Sequence, residues 1–172
     1  MKKLLLLILF LLSIPAQILL ATSLQEAYLN SNPGLGYDRL IILQRDVVYT
    51  GGLNITNESI GIKGRGAIIN LSGSSIYISG NSMIELDACG IINGSNGIHA
   101  TGNAKVFLTQ CTFYNNQNGI MFDSDGIIEV INTIISFSSQ YGLACNENST
   151  CILSYIDSYQ NTEGDYMEWC PG

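Results

Sequence analysis

An all-β fold of stacked parallel coils is predicted by three observations on this chain of 172 residues. Short β-rich runs broken by Gly, Asn and Ser dominate from Leu40 onward. Several columns of like residues recur every 22 or 23 positions, and charged residues make up only 12% against 47% hydrophobic. Disorder is excluded, since it needs low hydrophobicity and high net charge. Eighteen Gly without a three-residue period exclude collagen. A net charge of −7 and a pI near 4.4 give no basic face for phosphates, so no nucleic-acid partner is expected.

The elements follow in chain order. Lys2 and Lys3 precede the apolar run LLLLILFLL (Leu4 to Leu12), then Pro15 and the small residues Ala16 and Ala21. This is the layout of a secretory signal peptide, assigned to residues 1–21. Pro15 and Gln17 interrupt the run, so cleavage is expected rather than an uncleaved anchor. No Cys follows either candidate site, against a lipid anchor. Beyond residue 22 nothing nears eighteen unbroken apolar residues, so the mature chain is expected to be soluble and extracellular. Losing Lys2 and Lys3 leaves five basic residues against fourteen acids, a net of −9.

Residues 22–36 read as a short helix and turn. Ser23 and Glu26 stand at capping-box spacing. Leu24, Ala27 and Tyr28 share one face, and Asn32-Pro33-Gly34 stops the helix.

Residues 37–172 carry the repeat. Gly97-Ile98, Gly119-Ile120 and Gly142-Leu143 lie 22 and 23 residues apart, with Ser75-Ile76 one step earlier and Gly164 one later. A second column reads Ala67, Cys89, Cys111, Thr133, Ile156, and a third Ile69, Ile91, Phe113, Ile135, Ser158. Ser72, Gly94, Asn116, Ser138 and Asn161 form a small or polar column. Evenly spaced sandwich strands would not hold residue type in register. A leucine-rich repeat would need the L-x-x-L-x-L frame, and a hexapeptide coil a strict six-residue period; both are missing. A parallel β-helix of about six coils remains, a rod about 30 Å long at the interstrand spacing. Inward positions then stack like on like, Gly and Asn are expected at the bends, and stacked Asn can form hydrogen-bonded ladders.

The helix LQEAYLNSNPG with YDRLIIL, the coils DACGIINGSNGIH, TQCTFYNNQNGIM and NTIISFSSQYGLA, and the tail SYIDSYQNTEGDYMEWCPG carry a resemblance. Over residues 23–172 the chain resembles the secreted right-handed parallel β-helix proteins of the pectin-lyase-like superfamily. The resemblance implies a right-handed coil and gives residues 23–31 the role of a cap over its open end. The family pattern often runs on past a WCPG-like segment to a closing cap. The chain is therefore expected to be a truncated or minimal version, whose uncapped last coil could self-associate end to end.

Enzymes of that superfamily act on acidic polysaccharides. Its lyases use calcium held by Asp/Glu with an Arg base, and its hydrolases use clustered Asp with His and Arg/Lys. This chain departs from both, with no Asp-Asp pair, no Gly-His-Gly and no Arg-x-Lys. Asp123 and Asp125 form the one acidic pair on a turn and are the candidate Ca2+ ligands, with no other cofactor expected. The bland reading is a solvated turn column. His99, the only histidine, is read as structural or surface, having no matching acidic neighbour in its column. Glu85 and Asp87 alternate with Ile84 and Leu86 and should point outward. Whether Asp123, Glu129 and Asp157 share a face is left open. Five N-x-S/T triplets begin at Asn54, Asn57, Asn70, Asn93 and Asn148, and composition alone accounts for them.

Five cysteines are odd for a secreted chain. Cys89 and Cys111 read as buried thiols. One disulfide is expected among Cys145, Cys151 and Cys170, with Cys145–Cys151 favoured and one thiol spare. The function expected is a secreted, non-catalytic β-helix repeat module that binds carbohydrate, a polysaccharide or a cell-surface partner, with Tyr77, Tyr114, Tyr141 and Trp169 as candidate sugar-stacking aromatics. The alternatives are a polysaccharide lyase or glycoside hydrolase acting on acidic polysaccharide, or a non-functional fragment of a longer β-helix protein.

Overall fold

The computed structural model describes residues 22–171; the expected signal peptide, residues 1–21, lies outside the described residues. Among the described residues no helix is long and apolar enough to cross a membrane.

Six coils stack into a solenoid with three sheet faces. The first face holds Tyr37–Ile42, Ser59–Lys63, Met83–Asp87 and Lys105–Thr109, then the opening halves of Ile127–Ser136 and Thr150–Tyr159. The second holds Val48–Thr50, Ile68–Asn70, Gly90–Ile92 and Thr112–Tyr114, then the closing halves of the same two long strands. The third holds Leu53–Thr56, Ser75–Ser79, Asn96–Gly102, Asn118–Ser124, Tyr141–Cys145 and Gly164–Tyr166. Each pairing between coils is parallel, and the one antiparallel pair joins Asn32–Gly34 to Tyr37–Ile42.

Most of the predicted columns are the register; the Gly-Ile column departs at its ends, where Gly164 pairs with Tyr141 and not Gly142, and Ser75 with Asn96 and not Gly97. Ile69, Ile91, Phe113 and Ile135 pair in succession, and all four are fully buried. Each such side chain contributes about 1.5–3 kcal/mol by leaving water. The core thins at the end: this column ends on Ser158, and Ile156 and Leu153 of the sixth coil are only partly buried.

Helix α1 (Leu24–Leu29) forms as its cap predicts: Ser23 is the N-cap and its hydroxyl accepts from the Glu26 N–H at 3.4 Å. Leu24 is fully buried in the core cluster, with Ala27 and Tyr28 packed against it. Arg39 ties the helix to the second coil by donating to Glu58 at 2.8 Å under the Tyr28 ring.

Gly and Asn take left-handed bends as expected at Gly51, Gly66, Gly73, Asn57, Asn93 and Asn115, but one row of corners departs from this. Corners between the first and second faces fall at Asp46, Arg65, Ala88, Gln110, Asn132 and Tyr155, all left-handed with φ of 49–61°. Only one is Asn. A left-handed non-glycine residue costs about 1–2 kcal/mol, and here the ladder offsets it. The corner amides of Ala88 and Gln110 still donate to Thr109 O and Ile131 O of the next coil, at 3.0 and 3.1 Å. In the strands other glycines are needed for space. A Cβ on Gly97 would strike Phe113 Cδ1 at 2.5 Å and also the Gly119 carbonyl, although its φ is ordinary.

The polar column holds in four coils. Gly94, Asn116, Ser138 and Asn161 are buried, whereas Ser72 is an exposed corner at φ 51°. The second coil is one residue short there, and Gly97 is bulged opposite it. Asn ladders form as predicted: Asn115 donates to Asn93 at 2.8 Å, and Asn93 to Asn70 at 3.3 Å.

Glu85 and Asp87 point outward, and Lys63 donates to Glu85 at 2.6 Å and lies 3.7 Å from Asp87. The Lys63 bond, then the Tyr37 hydroxyl, hold the Glu85 carboxyl below its ordinary 4.5, while the Glu85 bond raises Lys63. A depressed carboxylate adds stability above its unfolded pKa and loses it as pH falls through the folded one. The raised Lys63 contributes fully below its unfolded value and is lost as pH rises past the folded one. Glu85→Gln is therefore expected to cost about 1 kcal/mol near neutrality and nothing in acid. Urea midpoints for both proteins should converge as pH drops below about 4; a constant gap would count against this assignment.

Candidate functional site

Face and register place the predicted residues. Asp123, Glu129 and Asp157 stand on the third, first and second faces. No pair of these carboxylates can flank one bond. Asp123 and Asp125 are exposed and turn to different partners. Asp123 Oδ2 lies 3.4 Å from His99 Nε2 of the coil before, and Asp125 accepts from Asn146 of the coil after at 3.4 Å. Calcium needs six to eight oxygens around one point. Among the described residues no group of three or more His, Cys, Asp or Glu converges on a metal position, and these two carboxylates do not fit the ion.

His99 differs from its sequence reading. It has an acidic neighbour, offset by two positions across the coil boundary, and it packs edge-on to Tyr77 at 5.2 Å. Thr101 is the residue directly opposite Asp123, so comparing columns could not reveal this pair.

The aromatics sort onto two surfaces. Tyr114 stacks in an exposed row with Phe137 and Tyr159, at centroid distances of 5.4 and 6.0 Å. Phe137 and Tyr159 were missed because Phe137 occupies a corner, outside any apolar strand pattern. Tyr141 and Trp169 lie instead around one groove beside the third face.

They line a groove of about 490 Å³. Its origin lies in the chain after Gly164. That strand pairs with Tyr141–Cys145, and the Met167 N–H donates to Leu143 O at 2.9 Å. Ala144, in the outward column of Tyr77, His99 and Met121, is consequently only 1% exposed. The segment lies beside that column and leaves the groove at its margin, with Met121 and Met167 as apolar lining.

Polar groups of two kinds line it. Asn118 is held at 3.0–3.2 Å, donating to Asn96 and Gln140 and accepting from the Tyr141 N–H. Gln140 spends its carbonyl on Asn118, so its amide N–H groups remain to donate. Asp123, Glu147 and Glu163 bring three exposed carboxylates and no lining Lys or Arg. An aromatic pair beside amides and carboxylates can stack on a ring and hydrogen-bond its hydroxyls, while its negative potential repels anions.

The cysteines form two groups. Cys89 and Cys111 stack in the core, and Cys111 Sγ donates to Thr109 O at 3.4 Å. The Cys111 thiol and burial push Cys89 up, while the bond to Cys89 lowers Cys111. Cys145, Cys151 and Cys170, the expected disulfide candidates, are all free thiols in this structure. Cys151 Sγ lies 2.7 Å from Cys145 Sγ, and Cys170 Sγ donates to Leu143 O at 3.3 Å. The neighbouring thiols of Cys151 and Cys170 raise Cys145.

A family model described as the right handed beta helix region matches residues 46–167. No curated protein and no solved structure matches the chain.

Proposed function

The chain belongs to the right-handed β-helix family, and from that premise we propose that it is a non-catalytic module that binds an uncharged or amino-bearing glycan in the third-face groove. The observation that carries this reading is the pairing of Tyr141 and Trp169 in one groove with amide donors and a carboxylate rim. Sugars present an apolar ring face with hydroxyls around it, and these are the two chemistries the groove offers. The three carboxylates favour neutral or cationic sugars over uronate chains, in keeping with the acidic chain. Action outside the cell is supported by the basic start and apolar run of residues 2–12.

Calorimetric titration with neutral hexose oligomers, a glucosamine oligomer and oligogalacturonate tests the reading. Binding is expected to the first or second and to be absent with the third. Trp169→Ala should weaken it about tenfold, ~1.4 kcal/mol. Tyr114→Ala, on the separate aromatic row, should leave it unchanged. Failure to bind any neutral or amino sugar would overturn the proposal, and so would calcium-dependent release of unsaturated products from oligogalacturonate.

A further inference from the structure

Cys145, Cys151 and Cys170 meet where the core thins. Cys145 closes the third-face strand of the fifth coil in the inward position that Phe122 fills one coil earlier. Cys151 opens the sixth coil opposite the buried Ile128. Cys170 follows Trp169 in the terminal turn, its N–H bonded to Met167 O at 2.9 Å. All five cysteines are thiols in this structure. Cys145 is the shared member: Cys151 Sγ stands 2.7 Å from it, and Cys170 Sγ donates to the carbonyl of Leu143, two residues before it, at 3.3 Å. It can hold only one of them at a time.

We propose that Cys145 is the pivot of an exchangeable disulfide whose two pairings set the position of the groove wall bearing Trp169. In the first step a small-molecule disulfide oxidises the site. The Cys145 thiolate takes one of its sulfurs, the Cys151 thiolate displaces that sulfur, and two equivalents of reduced thiol leave with the two protons. In the second, the Cys170 thiolate attacks Cys145 Sγ, the Cys145–Cys151 bond breaks, and Cys151 leaves as a thiolate that takes up the proton Cys170 lost. The exchange is redox-neutral. The Cys145–Cys151 pairing closes a short loop around Asn146–Thr150 and leaves the terminal turn free. The Cys145–Cys170 pairing clamps that turn to the fifth coil.

The test equilibrates the whole chain with glutathione disulfide and maps its peptides without reduction. Cys145–Cys151 and Cys145–Cys170 peptides are both expected, with one reactive thiol remaining of the three. Cys170→Ser should trap the first pairing and Cys151→Ser the second. Trp169 is the single tryptophan, so its emission should be quenched in the oxidised Cys151→Ser variant, where its neighbour is bridged, relative to Cys170→Ser. Three free thiols after oxidation, a Cys151–Cys170 peptide, or one pairing alone in the unaltered chain would overturn the proposal. The peptide map needs no variant to fold and no glycan to bind, so it stands or falls apart from the glycan reading.

Discussion

Gly119→Ala is expected to destabilise the solenoid by about 3 kcal/mol, the upper part of the range for overpacked cores, while Gly90→Ala is expected to be neutral or slightly stabilising. Both glycines sit in strands without positive φ, so conformation does not separate them. Space does. A Cβ on Gly119 would collide with Ile135 Cγ2 and approach the Gly142 carbonyl oxygen at 2.5 Å. Ile135 is fully buried and cannot swing away, and Gly142 O is backbone of the next coil. Relief requires the two coils to part, which loosens the ladder on either side. On Gly90 the nearest atom would be Ile68 Cγ1 at 3.7 Å, an ordinary contact, and the unfolded chain loses entropy worth about 0.4–1 kcal/mol. Thermal unfolding of the two variants decides the matter; a loss at Gly119 comes to about 10 °C for a domain of this size. Equal melting temperatures would mean that the glycine column serves something other than close packing.

Asn116→Ala should cost about 3 kcal/mol, whereas Asn103→Ala should change stability by less than about 0.5 kcal/mol. Asn116 is 3% exposed; its carbonyl accepts from the Gly94 N–H at 2.7 Å and its NH2 donates to Ile91 O at 3.2 Å. Truncation leaves a buried donor and a buried acceptor without partners, each costing about 1–3 kcal/mol. Asn103 makes a 3.4 Å ladder bond on the surface, where water replaces Asn81. Denaturant unfolding gives both values. Hydrogen exchange at the Gly94 amide should quicken in Asn116→Ala before global unfolding, and an amide that stays protected would refute the assignment.

Those two residues show what could be read from the chain. Asn116 and Gly119 were both found by period, because a parallel coil puts position n beside n+22 and the core then selects one residue type down the column. Ser23 was legible for a different reason, because its cap chemistry is local to the Ser23–Glu26 spacing. The logic of the repeat was right about the bend glycines, such as Gly51, Gly66 and Gly73 with positive φ, but not about the strand glycines Gly97 and Gly119, which close packing requires. Close approach between coils depends on how far Phe113 and Ile135 reach across the core, which a spacing does not encode. It also missed the corners: Arg65, Ala88 and Tyr155 point away from the core and meet little selection for type, so nothing marks them. His99 and Asp123 lie off register by two. The groove needed the path of the chain after Met167, where the pairing to the fifth coil ends and no column guides the reading.

The uniform register also bears on how the molecule comes into being. From Ser59 to Tyr159 each strand meets a partner about 22 residues earlier, and among the described residues no pairing joins the first coil to the last. Every coil therefore closes a loop of the same modest length, at nearly the same entropic expense as the one before. An array in which each unit touches only its neighbours can nucleate once and propagate. α1 and the first coil, with Leu24 already seated, form a template that newly emerging chain can join turn by turn. Such a protein can be assembled in the order in which it is threaded out.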